Sequence, residues 1–383
     1  PYVPLDFAAE HVNAEHVEKQ MQIAPVQERV RDELPWCKRA VQRPECKPVD
    51  EQWFDADHAK QKNADVQYQQ PAGNRGYGTK HGWILACIVY WFPFVSLADN
   101  ALISTITAQR LAAVHSTLSR SADLVERVEL ASRALLGTPY LLDPTGEGAF
   151  SAIDRDPLVT LDALDCQTFV ETVLALARSD QPESIIAELR AVRYRHSEIA
   201  FEARLHFPEI DWIPVNVERG VIRDVSAEVA GAQPLAQVTS RITRRAWLEA
   251  LPRNPTQSRN DYLRTSAAAQ SELQRIAKSA PREESVDLHY IPKAALSDQA
   301  LLDRIPLGAI VFIVRPMTSL FGNVGSRLSI SHLGFALPSD RGLMYRHASS
   351  HRGRAVIDRQ MSEYLQAMNA SRSFAGIAVY AIN

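Results

Sequence analysis

The sequence predicts an α+β fold, because helix-like patterns come first along the chain and strand-like patterns follow. Two helix patterns, near residues 121–137 and 166–178, repeat apolar residues at the three- and four-residue spacing of a buried helical face. Short runs of strand length follow after residue 300, as at residues 342–348. Helices and strands segregated in this way are typical of α+β domains rather than of alternating α/β domains.

The helices are predicted from their caps and apolar faces. Ser121 is a suitable N-cap for the first helix, and Gly137 is suitable for its end. The second helix begins at Cys166, and residues 182–192 form a third. The apolar face of the second helix comprises Phe169, Val170, Val173, Leu174 and Ala177.

Five short runs are predicted to form strands, and a polar segment separates them. The predicted strands cover residues 212–215, 308–314, 332–337, 342–348 and 376–381. Residues 233–284 are predicted to form a polar insertion with one helix over residues 261–279. Residues 100–383 are therefore expected to form one domain that contains this insertion.

The composition is that of a soluble globular protein. Of the 383 residues, 46% are hydrophobic and 23% are charged, and the formal net charge is −3. The sequence has no surplus of basic residues that would indicate nucleic-acid binding. It also has no block of like charges that would indicate a charged interaction tail. Function is therefore expected to depend on localised sites.

An uncharged apolar run, residues 82–98, follows Arg75 and Lys80 and ends in small residues before Asp99. This layout predicts a signal peptide or signal-anchor over residues 81–99. We accordingly expect a periplasmic or secreted protein, attached to the inner membrane through residues 82–98 if they are not cleaved. A buried core helix is the alternative, since the run is slightly short for a membrane span of about 20 residues.

The first eighty residues are polar and rich in turn signals. They are predicted to be disordered or to be absent from the mature protein. Either the true start lies downstream of residue 1, or these residues form a cytoplasmic tail before a signal-anchor. His11, Glu15 and His16 do not have the spacing of a metalloprotease helix, so no metal site is predicted.

Cys166 is the cysteine with the most informative position. Cys37 and Cys46 could form a small disulfide loop if their compartment is oxidising. The sequence alone does not establish this disulfide. Cys166 instead opens an apolar helix directly after Asp165, where the backbone N–H groups and the helix dipole favour a thiolate. Cys166 is therefore either a reactive thiol or a packing residue.

Two histidines interrupt strand-like runs later in the chain. His332 lies in the sequence Ser331-His332-Leu333-Gly334-Phe335, and His347 lies between Arg346 and Ala348. A cysteine hydrolase needs one imidazole to exchange a proton with the thiol and a third group to orient that imidazole. A lone histidine of this kind is more often a core residue, but the pair favours a cysteine–histidine site.

The ordered motifs resemble those of NlpC-type cell-wall cysteine peptidases, and more narrowly their N-acetylmuramoyl-L-alanine amidase-like branch. The resemblance covers residues 125–383 and not the first hundred. The motifs that carry it are Leu136-Gly137-Thr138-Pro139-Tyr140, the run LDALDCQTFVE around Cys166, Arg204-Leu205-His206 with Asp211-Trp212-Ile213, Tyr290-Ile291-Pro292-Lys293, Ser331-His332-Leu333-Gly334-Phe335 and His347-Ala348-Ser349.

This resemblance implies a permuted papain-like core, in which the cysteine helix packs on an antiparallel sheet that carries the histidines. It implies Cys166 as nucleophile, His332 as general base and acid, and His347 as the residue that orients His332. Tyr140 is expected to line the cleft and to help hold the oxyanion. Leu141-Leu142-Asp143-Pro144 departs from the Trp-Gly-Gly of many members, so the cleft wall is expected to differ.

Arg204, His206 and Ser331 are the candidates for substrate binding. A guanidinium binds carboxylates bidentately, and stem peptides carry free carboxylates. Arg195, Arg327 and Arg346 are further candidates for the same task. The alternative for Arg204 and His206 is a structural pair. Ser331 is rejected as a nucleophile because it lacks a GxSxG turn.

The predicted function is cysteine-dependent hydrolysis of the bond between N-acetylmuramic acid and L-alanine in peptidoglycan or muropeptides, through a thioester. No cofactor, metal or nucleic-acid partner is expected. One alternative is an endopeptidase that cuts the D-glutamyl–diaminopimelate bond. The other is a catalytically silent cell-wall binding module.

Overall fold

The computed structural model describes residues 103–253, 261–316, 326–351 and 354–383. The predicted polar segment (residues 1–80) and the predicted signal (residues 81–99) lie outside the described residues. Among the helices that are described, none is both long and apolar enough to cross a membrane.

Helices dominate the first part of the described chain. They include a buried one that begins at Cys166 and matches the predicted boundaries. A shorter one ends at Arg193, one residue beyond its predicted end. The helices are α1 (Thr105–Leu118), α2 (Leu124–Ala134), α3 (Cys166–Arg178), α4 (Ile185–Arg193), α5 (Ile213–Glu218) and α6 (Ser226–Ala230).

Helix α2 begins two residues later than the Ser121 cap implies. The side chain of Asp123 accepts a hydrogen bond from the backbone N–H of Glu126, so Asp123 is the N-cap. Ser121 supports this turn instead, since its hydroxyl donates to Glu126 and accepts from the Asp123 N–H. Gly137 has a φ of +81°, which suits the glycine predicted to end the helix.

The strands form one antiparallel sheet among the described residues. Its order is β2-β3-β8-β4-β5-β6-β7, and β1 pairs with the second half of β8. This arrangement confirms the predicted α+β class. The strands are β1 (Ile222–Asp224), β2 (Ala236–Ile242), β3 (Glu284–Pro292), β4 (Ile310–Val314), β5 (Ile330–Ser339), β6 (Gly342–Ala348), β7 (Val356–Gln360) and β8 (Gly376–Ile382).

The strand predicted over residues 212–215 is wrong. Residues Pro208–Trp212 form a π-helical turn that continues into α5. Asn216 donates from its side chain to the backbone C=O of Trp212, which helps hold this turn. A four-residue apolar run is too short to show the hydrophobic period that distinguishes a strand from a buried helical turn.

Residues 233–284 contain more regular structure than one helix. They begin with β2, which pairs with β3 over seven residues, and continue into α7 (Arg244–Ala250), α8 (Asp261–Thr265) and α9 (Ala267–Ser279). The helix predicted over residues 261–279 is interrupted at Ser266, whose side chain caps α9. Trp247 and neighbouring apolar residues form a separate hydrophobic cluster beneath these helices.

Both faces of the sheet are covered. Helix α3 packs on one face, where Phe169 contacts Phe335 edge-to-face with ring centroids 5.8 Å apart. The opposite face packs against α6, α10 (Gln299–Leu302) and α11 (Met361–Asn369). Burial on both faces explains why β4 is apolar at all five positions.

Candidate active site

Cys166 is the first residue of α3 and is almost fully buried. Asp165 caps the helix with its carboxylate, which accepts the N–H of Thr168 at 2.8 Å, while Thr168 Oγ1 accepts the N–H of Asp165 at 2.9 Å. This reciprocal capping box fixes the first turn of the helix. The thiol is therefore held on a fixed helical turn rather than on a loop.

The backbone N–H of Leu333 lies near the Cys166 sulfur and favours its charged form. That nitrogen belongs to the peptide bond between His332 and Leu333, so the thiol lies against the part of β5 that carries His332. The thiol is consequently close to the predicted general base, although the two residues are 166 positions apart in the sequence.

The surroundings of the thiol do not lower its pKa, contrary to what the start of a helix predicts. The helix start predicts a lowered pKa, whereas burial raises the pKa of Cys166, and the Asp165 carboxylate raises it further. The N–H groups of Leu333, Cys166 and Gln167 act in the opposite direction by favouring the thiolate. The resting residue is therefore a thiol, because burial outweighs the helix start.

His332 and His347 form a hydrogen-bonded pair. His332 Nε2 lies 2.6 Å from His347 Nδ1, and the two rings are nearly perpendicular. This bond leaves Nδ1 as the His332 nitrogen available to the thiol. Burial, helped by His351 and Arg315, lowers the pKa of His332 to about 3, so its ring is neutral near pH 7. Burial and His332 also lower the pKa of His347.

The register of β5 and β6 brings the two histidines together. Phe335 lies opposite Arg346 and, by continuation of this register, Gly334 lies opposite His347. His332 lies two residues before Gly334 on β5, on the same face of the strand. A Cβ at Gly334 would lie 2.6 Å from the Arg346 backbone oxygen and 2.8 Å from the His347 Cβ. Only a glycine allows this close approach of the strands.

Two tyrosines that were not predicted pack around His347. The Tyr345 ring stacks on the His347 ring with centroids 4.8 Å apart, and the Tyr364 ring lies 5.3 Å from it. The Tyr345 hydroxyl donates to the backbone oxygen of Val311 on β4. Tyr345 shares a strand face with His347, so period-two spacing was available as a signal. Tyr364 lies on α11 and has no sequence signal.

Glu209 is a third residue that was not predicted. Its buried carboxylate accepts the N–H groups of Ser329 at 2.6 Å and Ile330 at 2.8 Å. These bonds fix the start of β5, two residues before His332. The sequence around Glu209 does not predict that it holds the start of β5, because the N–H groups that it binds are 120 or more residues away.

Tyr140 belongs to the same hydrophobic cluster as Cys166. Its backbone N–H donates to the backbone oxygen of Arg354 at 2.5 Å, and the residue pairs with Leu164 in an isolated bridge. Burial, together with Cys166 and Asp165, raises the pKa of the Tyr140 hydroxyl. The hydroxyl is therefore protonated and able to donate a hydrogen bond.

Arg204 is engaged within the protein. Its guanidinium lies 2.6 Å from Glu147 and 3.3 Å from Asp154, and it donates to the backbone oxygen of Thr145. Burial opposes the charge of Arg204, but Glu147, Tyr194 and Asp154 raise its pKa above the usual value. Burial also raises the pKa of Asp143 and Asp154 to about 7. These contacts favour the structural alternative for Arg204.

His206 and Ser331 also have protein partners. His206 Nε2 lies 2.8 Å from the Phe201 backbone oxygen, and its ring lies between Phe201 and Trp247. Burial and Arg204 lower the pKa of His206, so the ring is neutral. The Ser331 hydroxyl donates to the backbone oxygen of Ile313 at 3.3 Å. Within the residues described, no group of three or more potential ligands would hold a metal ion.

A family model described as AmiA-like, N-acetylmuramoyl-L-alanine amidase-like, matches residues 130–372, which is more than half of the chain. The chain belongs to this family. Membership supports a hydrolase of the amidase type that acts on peptidoglycan. All of the predicted site residues, from Tyr140 to His347, lie inside the matched region. A comparison with curated proteins gave no match.

Among the solved structures that are similar to the chain are two proteins from bacteria. A Legionella pneumophila protein is 29% identical with a TM-score of 0.64, over 72% of this chain and 94% of its own. An N-acetylmuramoyl-L-alanine amidase from Bacteroides uniformis is 23% identical with a TM-score of 0.47, over 70% of this chain and 99% of its own. The Legionella structure supports the mixed fold of helices and antiparallel sheet.

Proposed function

We propose that the chain is a cysteine amidase that cleaves the bond between the lactyl group of N-acetylmuramic acid and L-alanine. The observation that carries this proposal is the hydrogen-bonded pair of His332 and His347, together with the position of Leu333, the residue after His332, near the Cys166 thiol. The Leu333 N–H favours the charged form of the thiol, and His332 Nε2 lies 2.6 Å from His347 Nδ1. Family membership adds the substrate class.

The reaction begins from a neutral pair, because burial disfavours both the thiolate and the imidazolium. The Cys166 proton passes to His332 Nδ1 as sulfur attacks the amide carbonyl. His332 then returns this proton to the departing alanine nitrogen, and a thioester remains on Cys166. Water adds to the thioester after giving a proton to His332, and the acid leaves as the thiol is protonated again.

The start of α3 and Tyr140 would stabilise the negative charge that develops on the carbonyl oxygen. The backbone N–H of Cys166 is free of an intrahelical acceptor because it belongs to the first turn. The Tyr140 hydroxyl, which keeps its proton, would supply the second donor. Donors fixed in advance in a buried site are effective at stabilising such an oxyanion.

The order of elements fits a permuted papain-like core of the NlpC type. The cysteine helix precedes the strands, and the histidines follow on the adjacent strands β5 and β6. We therefore propose that the chain belongs to this structural group. We further propose a periplasmic or secreted location, in keeping with the predicted signal, because peptidoglycan lies outside the cytoplasm.

Mass spectrometry of the products from one defined muropeptide tests this proposal. Cleavage at the lactyl group would release a peptide that begins with alanine. Cleavage after D-glutamate would leave alanine on the sugar and support the endopeptidase. No cleavage would support a binding module.

Cys166→Ala and Cys166→Ser should both abolish product formation, since neither side chain is an effective nucleophile here. Ser116→Ala is a suitable control, because Ser116 is exposed on α1 and its hydroxyl bonds only a local backbone oxygen. Measurable turnover by Cys166→Ala would exclude the cysteine mechanism.

A further inference from the structure

Arg204 holds the loop formed by residues 143–154 in place. Polar groups of this loop surround its guanidinium, which is only 10% exposed. They are the carboxylates of Asp143, Glu147 and Asp154, at 3.7, 2.6 and 3.3 Å, and the backbone oxygen of Thr145, at 3.1 Å. A guanidinium is planar and its donors point in fixed directions, so these contacts restrict the shape of the loop as well as its charge.

The 143–154 loop is closed at its base by backbone hydrogen bonds. The N–H of Gly146 donates to the oxygen of Pro157 at 2.9 Å, and that of Glu147 donates to the oxygen of Asp154 at 3.1 Å. A Cβ at Gly146 would lie 2.3 Å from a carboxylate oxygen of Asp154, so a glycine is required at this close approach. The loop is therefore held by its own backbone as well as by the guanidinium.

The start of the 143–154 loop is bonded to the cap of α3. The N–H of Asp143 donates to Asp165 Oδ2 at 3.1 Å, while Asp165 Oδ1 accepts the N–H of Thr168 at 2.8 Å. Asp143 has a φ of +52°, a left-handed conformation that is uncommon for a residue other than glycine. One carboxylate thus bridges the loop and the helical turn that begins at Cys166.

The chain next to Arg204 is bonded to the other side of the same turn. Gln167, the residue after Cys166, donates from its side chain to the backbone oxygen of Leu205 at 3.1 Å and to Glu171 Oε1 at 3.0 Å. Leu205 directly follows Arg204 in the sequence. Both sequence neighbours of the cysteine are therefore bonded to parts of the chain that Arg204 occupies or holds.

The charges around the guanidinium are expensive to bury. Three largely buried carboxylates face one cation, and burial raises the pKa of all three, to about 7 for Asp143 and Asp154 and in the same direction for Glu147. Buried ion pairs are often no more stabilising than well-packed apolar side chains. Stability alone does not account for this arrangement, whereas a requirement for one defined loop geometry does.

We propose that Arg204 is a positioning residue for Cys166. By holding the 143–154 loop, it keeps the Asp143 N–H against the Asp165 carboxylate and so fixes the turn that presents the thiol. Arg204 acts through these groups and does not touch the substrate. The inference deepens the proposed function and rests on it, because Cys166 is the nucleophile of that reaction.

The kinetic experiment compares the full chain with Arg204→Gln and Arg204→Lys on one defined muropeptide. Arg204→Gln should lower kcat by about 10–100-fold, because a small displacement of a reacting group is enough to slow the chemical step. KM should stay within about threefold of the parent value, because no substrate contact is lost. Arg204→Lys keeps the charge without the planar fork and should restore part of kcat.

Arg244→Gln is a matched control. Arg244 is also largely buried, at 16% exposed, and pairs with the carboxylates of Asp211 and Glu284, which lie outside the 143–154 loop. Its loss removes ion pairs comparable to those of Arg204. The control should therefore lower the melting temperature and leave kcat unchanged, which separates positioning from a general loss of stability.

Hydrogen exchange, followed by mass spectrometry, tests the same link without turnover. Backbone amides in residues 141–147 and 165–170 include the donors to the Asp165 carboxylate. At a temperature well below unfolding, these amides should exchange about tenfold faster in Arg204→Gln than in the parent protein, because local opening becomes easier. In Arg244→Gln they should exchange at the parent rate.

A rise in KM with an unchanged kcat would overturn the inference, because Arg204 would then contact the substrate. Parent-like exchange in Arg204→Gln, or equally fast exchange in Arg244→Gln, would overturn it as well. If Arg204→Gln does not fold, Arg204→Lys decides the question, and parent-like kcat and exchange in that variant would count against positioning. If the parent protein cleaves no muropeptide, the proposed function fails, whereas the exchange result still decides whether Arg204 holds the cysteine turn.

Discussion

His332 and His347 have different surroundings, and we therefore expect different roles for them in the proposed mechanism. His332 adjoins the thiol through the Leu333 peptide bond, whereas His347 contacts His332 and is stacked on Tyr345. We expect His332→Ala to lower kcat/KM by about 10²–10⁴-fold or more, because proton transfer is lost. His347→Gln should retain more activity, since its side-chain oxygen can still accept from His332.

Steady-state kinetics on one muropeptide would measure this ranking, and thermal unfolding of each variant would exclude loss of the fold. A larger loss in His347→Gln than in His332→Ala would mean that the two roles are exchanged.

At the level of single residues, the sequence indicated candidate site residues such as His332 and His347, which are hydrogen-bonded in the structure, but it did not indicate their charge states. Cys166 and His332 are recognisable because a helix start and an interrupted strand are local patterns. The burial that keeps Cys166 a thiol depends on the whole fold and has no local signal. Arg204 shows the same limit, because its partners Glu147 and Asp154 lie 57 and 50 residues away in the sequence.

The cap of α3 controls the thiol through charge. Asp165 both caps the helix and raises the pKa of Cys166, because its negative charge disfavours a second one nearby. Asp165→Asn keeps a cap acceptor and removes the charge. The pKa of Cys166 should therefore fall, and alkylation by iodoacetamide should begin at a lower pH than in the parent protein.

The pH dependence of the alkylation rate measures this shift. Asp162→Asn is a matched control, because Asp162 is exposed and pairs with Arg110 rather than with the site. An unchanged profile in Asp165→Asn would show that burial alone sets the pKa.

At the level of elements, local sequence patterns were sufficient to predict the boundaries of a long helix or of a strand with alternating side chains. Helix α3 and strand β6 have the predicted boundaries. The order of strands was not predictable, because β2 and β8 reach their neighbours across connections of tens of residues. The close approach of β6 to β5 requires a glycine at position 334, because a Cβ there would clash with the Arg346 backbone. The sequence alone does not show that these two residues are neighbours.

At the level of the whole molecule, distant parts of the chain jointly form the site. Helix α3 comes from the first half of the described chain, and the histidine strands come from its end. Cys166, Phe335 and Ala348 accordingly belong to one hydrophobic cluster. This interdependence implies that Cys166, His332 and His347 come together only when the domain is complete.

The domain should not need the segment that precedes it. The hydrophobic clusters of the described residues begin at Ile103, and every predicted site residue lies at or beyond Tyr140. A chain that begins at Asp99 should therefore have the melting temperature and kcat/KM of the full chain. Calorimetry and muropeptide kinetics would measure both. An insoluble or inactive protein would instead mean that residues 82–98 pack as a core helix, and the predicted export signal would have to be withdrawn.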